Sequence, residues 1–269
     1  MMLPTDAPRR IAAERILLLA WPRAILLQLA HPLIASGVAA HSSFRGNTRS
    51  AFSRLHHTVG AMLALTFGTE REREGALEGI RAIHRRVNGT LADTTGPFAA
   101  GTRYSAEDPE LLTWVHVTLA ESTIRLYGRL VAPLTEADRD RYCAESAGVA
   151  VALGARASEV PRSWQALVAY ADAQYASGRV IVGRDARTVA SALLVNPLLS
   201  SIAIGDLPSA IRQQYGFRWS AAQAKRFERI MRTLRCVRRI TPRPLATWRA
   251  ARRVNDEVTG HARTAAAPR

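Results

Sequence analysis

Histidine is the residue type in this 269-residue chain best placed to do chemistry. Six of its seven copies, His31, His41, His56, His57, His84 and His116, fall between residues 31 and 116. Histidine is the commonest metal ligand and the usual proton carrier near neutral pH. The spacing excludes the familiar zinc patterns, because there is no HExxH and no histidine pair at i, i+4. The two cysteines, Cys143 and Cys236, lie in no CxxC, which excludes a cysteine zinc site and covalent haem attachment through CxxCH. From Arg15 to Thr69 there are 55 consecutive residues without Asp or Glu. Acid–base chemistry there must use something other than a carboxylate. A non-covalent haem stays open, since it needs only one imidazole in an apolar pocket.

His84 is the strongest single candidate. Leu77, Ile80 and Val87 stand at −7, −4 and +3 from it, so on a helix it shares their apolar stripe. A neutral imidazole facing a core serves equally as an iron ligand or as a hydrogen-bonded core residue, and spacing does not choose. Arg54, His57 and Thr58 stand at i, i+3 and i+4 and share a helix face, either a site or the solvated side of an amphipathic helix. His56 points about 100° away, so only one of the two adjacent imidazoles enters a given pocket. His116 is suited to line a pocket or to hydrogen-bond within a core. His31-Pro32 reads first as a helix boundary, because proline biases the residue before it away from the helical region.

The elements that must carry these residues are helical throughout. Apolar residues recur at three- and four-residue spacing, and no window alternates like a strand. Thr69-Glu-Arg-Glu is a capping box, and Asp108-Pro109, Thr135 and Ser220 are further start signals. Ten helices are predicted, at about 8–29, 33–42, 50–67, 70–88, 107–131, 136–153, 161–177, 185–200, 206–214 and 220–240. The stretch Thr90–Ala106 reads as one long irregular loop, functional or mobile. Residues 16–40 are apolar but broken by Arg23, Gln28, His31 and two prolines. They read as two buried helices rather than a membrane span. Apolar residues make up 48% of the chain and charged residues 22%, which excludes a largely disordered protein. The expected fold is all-α, a single domain over 1–240 with a basic, partly disordered extension over 241–269.

The net charge of +15 points to an anionic partner. Between Lys225 and Arg253 there are eleven basic residues and one acidic residue, Glu228. The run suits a helix that docks peripherally on anionic membrane, or one with an arginine-rich solvent side. It lacks a helix-turn-helix signature, so no specific nucleic acid partner is expected. The polar N-terminus and sparse cysteines fit a cytoplasmic setting.

Several blocks, read together, resemble the catalytic domain of the MpaB-like and rubber oxygenase (latex clearing protein) family. They are LLQLAHPLIASGVAAHSSF, FSRLHHTVGAMLALTFGT, IHRRVNGTL and YSAEDPELLTWVHVTLAESTIRLYGRL, in order between about Ile16 and Leu194. The resemblance implies a globin-like helical domain of about ten helices enclosing haem b. The family's Arg-x-x-Lys-Thr falls on Arg54, His57 and Thr58, and its proximal histidine falls on His84. By that likeness His84 is the axial iron ligand, Arg54 and Thr58 support the pocket, and His57 stands where the family places a distal lysine. His116 is a further candidate for haem contact. Two departures matter. Histidine is a better iron ligand than lysine, which favours a bis-histidine resting state. The glutamate base of rubber oxygenases has no counterpart between Arg15 and Thr69.

The function expected on this footing is a haem b-dependent oxygenase. It would take molecular oxygen, an apolar and alkene- or isoprenoid-like small molecule, and an electron donor. A non-catalytic bis-histidine haem sensor or carrier is the first alternative. A cofactor-free basic helical protein docking on anionic membrane or nucleic acid is the second.

Overall fold

The computed structural model describes residues 7–41 and 48–253, with the backbone alone over 48–56. It is all-α, as the sequence predicts: thirteen α-helices and one 3₁₀ helix among the described residues, with one two-stranded hairpin.

The centre is a pair of crossing helices, α2 (Trp21–Leu29) and α6 (Pro109–Leu130). Helix α6 starts where Asp108 accepts from the amides of Glu110 (2.8 Å) and Leu111 (3.3 Å), with Pro109 at its first position. Trp114, Val117, Ile124 and Tyr127 are buried at helical spacing and pack with Leu26, Leu27 and Leu29. Buried polar ends find backbone partners. Trp114 Nε1 donates to Leu27 O at 3.2 Å, and the Tyr215 hydroxyl donates to Leu26 O at 2.7 Å. Around this pair stand α3 (Pro32–His41), α7 (Glu136–Leu153), α8 (Trp164–Ala176), α9 (Arg184–Leu193), α10 (Pro197–Gly205), α11 (Ser209–Gln214) and α12 (Ala221–Ile240). Helices α4 (Thr48–Phe67) and α5 (Glu70–His84) form a hairpin on the outside.

Three segments differ from the sequence reading. The first expected helix is broken into α1 (Ala7–Ala12), a 3₁₀ helix (Arg15–Ala20) and α2. Glu14 is extended there (φ −79°, ψ 115°) and bridges Thr247, and Pro22 is accommodated in the first turn of α2. The expected helix 185–200 is two helices, because Pro197 lacks an amide proton and the Asn196 side chain caps a new start, accepting from Leu198 N and Leu199 N. The stretch after Val87 is not a loose loop. Strands β1 (Asn88–Thr90) and β2 (Arg103–Ser105) pair antiparallel, with Gly89 opposite Tyr104. The turn beyond them is pinned by Leu91 N to Thr102 O and Thr95 N to Phe98 O, each 2.9 Å.

Among the described residues no single helix is long and apolar enough to cross a membrane. The apolar segment 15–41 bends by 110° between Leu29 and Pro32, and most of α2 lies in the core. Beyond α12 the chain turns through α13 (Arg243–Ala246) and packs back on the N-terminal segment. Trp248 N donates to Ala13 O at 3.0 Å, the Arg15 guanidinium sits 5.0 Å from the Trp248 ring, and Arg238 forks onto Glu14 with two bonds of 2.5 Å. The described part of the basic extension, 241–253, is thus ordered against residues 13–15. Residues 254–269 lie outside the described residues.

Candidate functional site

The hairpin α4–α5 carries most of the candidate residues. Its turn needs glycine at 68, where an added Cβ would stand 2.5 Å from Ala64 O, a backbone atom with no freedom to yield. Thr69 then starts α5 through the predicted capping box, with Thr69 N to Glu72 Oε2 at 2.8 Å and Glu72 N to Thr69 Oγ1 at 3.3 Å. At about 1.5 Å of rise per residue, His57 lies about 16 Å and His84 about 22 Å from the turn. The two imidazoles are thus offset by about one helical turn along the hairpin.

His57 and Thr58 are exposed, and the side chain of Arg54 lies outside the described residues. His84, the last residue of α5, is half-buried. Desolvation pulls its pKa below the ordinary histidine value, against the opposing pull of the Glu107 carboxylate, so the neutral ring is favoured. The hairpin is unusually uncovered. No residue of α5 is buried, Leu65 is the one buried side chain described on α4, and the apolar Met62 and Ile83 are exposed.

The C-terminal end of α5 is held firmly. Val87 N donates to His84 O and Ala106 N to Val87 O, both at 2.9 Å, so β1 and β2 clip it to the start of α6. Helix α3 adds His41 Nε2 at 3.0 Å from Asn88 O, and buried Tyr104 lies against Gly37. The arginine at 81 donates to Ala152 O of α7. An open depression of about 580 Å³ with a mixed polar and apolar lining lies along β1, β2 and Asp108, beside the His84 turn rather than at the imidazole.

His116 is on α6, one turn after Leu112 and on the same face. Leu112 packs with Ala147 and Ala150 of α7, so His116 faces that helix. Its Nε2 is enclosed without a partner, and burial lowers its pKa to about 4. No described hydrogen bond, ring contact or electrostatic coupling joins it to His84.

Sequence reasoning undervalued His31. It is 2% exposed at the corner between α2 and α3, with Nδ1 enclosed and unpartnered. Burial first, and then the positive charge of Arg179, lower its pKa to about 4, with Asp108 opposing. Its ring centroid lies 5.2 Å from that of Phe98, whose other neighbours include Arg179 at 5.6 Å. Arg179 in turn forks onto Glu110. The run of "helix, then proline" gave the corner but not the burial.

A second feature had no sequence signal. Arg23, 3% exposed, donates through Nε to Asp206 O (2.9 Å) and through Nη1 to Ser122 Oγ (2.6 Å). It pairs with both Glu121 and Asp206 at 3.3 Å. Arg125 completes Glu121 (2.7 Å), and Arg129 completes Asp206 (3.2 Å). This network ties α2 to α6 and to the end of α10.

The donor chemistry fits a haem. His84 offers a neutral nitrogen, the hairpin offers uncovered apolar side chains, and α4 carries no carboxylate. Among the described residues no group of three or more His, Cys, Asp or Glu could hold a bare metal ion. A porphyrin iron asks for fewer protein donors.

The family model for the catalytic domain of the ER-bound oxygenase mpaB/B' and rubber oxygenase matches residues 9–236. The chain is 26% identical over 229 residues to the uncharacterized protein Rv2237 of Mycobacterium tuberculosis, covering 81% of this chain and 87% of that protein. It stands in the same relation to the uncharacterized protein Mb2261 of Mycobacterium bovis. No solved structure matches.

Proposed function

Because the chain belongs to the mpaB and rubber oxygenase catalytic-domain family, we propose that it is a haem b-dependent oxygenase acting on an apolar small molecule, with His84 as the axial ligand. The observation that carries this reading is the half-buried imidazole at the end of α5, held towards its neutral form beside uncovered apolar side chains. The chemistry that haem b supplies when bound is redox at iron and activation of dioxygen. The protein's part is to hold and surround it. His84 donates a ring nitrogen, and the clip of β1 and β2 onto α6 fixes the backbone from which that ring projects. The charge of Glu107 opposes the effect of burial on His84 without overturning it. In this reading Arg54 would pair with a propionate, Thr58 would offer a hydroxyl, and His57 would offer a second ring nitrogen to the group.

An absorption spectrum of the purified protein, before and after hemin addition, is the test. The expected result is a Soret band in wild type that is lost in His84→Ala, with the helical circular dichroism spectrum kept. Full haem occupancy in His84→Ala would remove that residue from the role. A second reading, a bis-histidine haem carrier or sensor without catalysis, is favoured by two observations. His57 shares the hairpin with His84, and no carboxylate lies between Arg15 and Thr69 to act as a base. In that case ferric wild type is expected to be low-spin and ferric His57→Ala high-spin, and after reduction with dithionite the variant should bind carbon monoxide faster than wild type.

A further inference from the structure

Helix α12 has two faces of opposite use. Phe227 and Met231 are buried in the core, and Arg238 turns inward to Glu14. The outer face is exposed. Lys225, Arg229, Arg232 and Arg239 follow at intervals of four, three and seven residues and so form one stripe, with Arg226 and Arg235 on its margins. None of these six cations takes part in an ion pair among the described residues. The one carboxylate of the helix, Glu228, is held by Arg129 at 2.7 Å. The C-terminal end of the stripe is apolar and open to solvent: Val237 is 48% exposed, Ile240 79% and, just beyond on α13, Leu245 65%.

We propose that this face docks the protein on an anionic lipid bilayer. The cations would lie at the headgroups, and Val237, Ile240 and Leu245 would enter the boundary with the acyl chains. A polyanion such as nucleic acid would use the charge but leave three large apolar side chains without a partner. Cations along one side of a helix with apolar residues at its end is the composition that binds an interface rather than spans it. Arginine suits that place because its aliphatic stem covers apolar surface while the guanidinium stays in water.

Co-sedimentation of the full chain with vesicles of phosphatidylcholine alone, and of phosphatidylcholine mixed with phosphatidylglycerol, tests this at low and high salt. Binding is expected only to the anionic vesicles, and it should weaken with salt. The double substitution Arg229→Glu with Arg232→Glu should lower the partition coefficient at least about 100-fold, at about fivefold per unit of charge. Both residues are exposed, so an unchanged circular dichroism spectrum is expected alongside. Ile240→Ser with Leu245→Ser should weaken binding to anionic vesicles while leaving its salt dependence in place. Equal binding to neutral vesicles, no binding to either, or an Ile240→Ser, Leu245→Ser variant that binds like wild type would overturn the proposal. So would a DNA duplex that displaces the protein from vesicles and loses affinity with the same arginine substitutions.

Discussion

Acid should unfold this protein through two imidazole rings that are uncharged in the native state. His31 and His116 have pKa values lowered to about 4 from the ordinary 6.5, in each case chiefly by burial. The unfolded chain therefore binds more protons than the folded one at any pH between these values. Each ring's contribution is complete above pH 6.5 or so and disappears as pH falls towards 4. Between pH 7.5 and pH 5 that loss is about 2 kcal/mol per ring, hence about 4 kcal/mol for the pair. Urea unfolding midpoints at the two pH values measure it. His31→Leu keeps most of the volume and removes the titration, so its loss on acidification should be smaller than wild type's by about 2 kcal/mol. His116→Leu should behave likewise, and the double variant should keep only the pH dependence of His84 and of carboxylates common to all four proteins. Glu72 and Asp138 are among those carboxylates, each held below its usual range with a threonine cap as partner. If His31→Leu loses as much stability as wild type, the ring protonates as readily inside the protein as outside. The account of its burial would then be wrong.

Other expectations are more direct. Arg23→Met leaves Asp206 O and Ser122 Oγ without their donor and takes one cation from buried Glu121 and from part-buried Asp206, a loss of about 3–5 kcal/mol that should lower Tm by about 10 °C or more. Gly205→Ala drives a methyl into the Phe227 ring, where α12 meets α10, and should cost about 1–3 kcal/mol in urea unfolding. Gly68→Ala should destabilise the α4–α5 hairpin by forcing Ala64 O aside, read as faster amide exchange over 60–75 with the core unchanged. A retained exchange pattern would mean that the turn has slack.

The helical plan was legible because its punctuation is local. Thr69, Asp108, Thr135 and Ser220 cap the helices they were expected to start, and Gly154 ends α7 with φ +118°. What was not legible depends on distant partners. Nothing near Glu14 in the sequence says that it is extended and paired with Arg238, and nothing near Asn88 says that it meets Ser105. The candidate site divides the same way. The placing of His84 on α5 with Leu77 and Ile80 follows from their stripe, and its partial burial agrees with it, but the helix ends at His84 rather than at 88, because the chain turns there into β1. The influence of Glu107 on it, and the enclosure of His31, come from tertiary packing that no periodicity records. The sequence also makes α5 an ordinary amphipathic helix, whereas the structure leaves it with no buried residue.

The fork between Arg238 and Glu14 spans 224 positions of chain. On a ribosome adding about 5–20 residues each second, the carboxylate emerges roughly 10–45 s before its guanidinium exists. Two segments made far apart in time are thus fastened by the same clasp, and the cage of helices between them stands ajar until the second has been made.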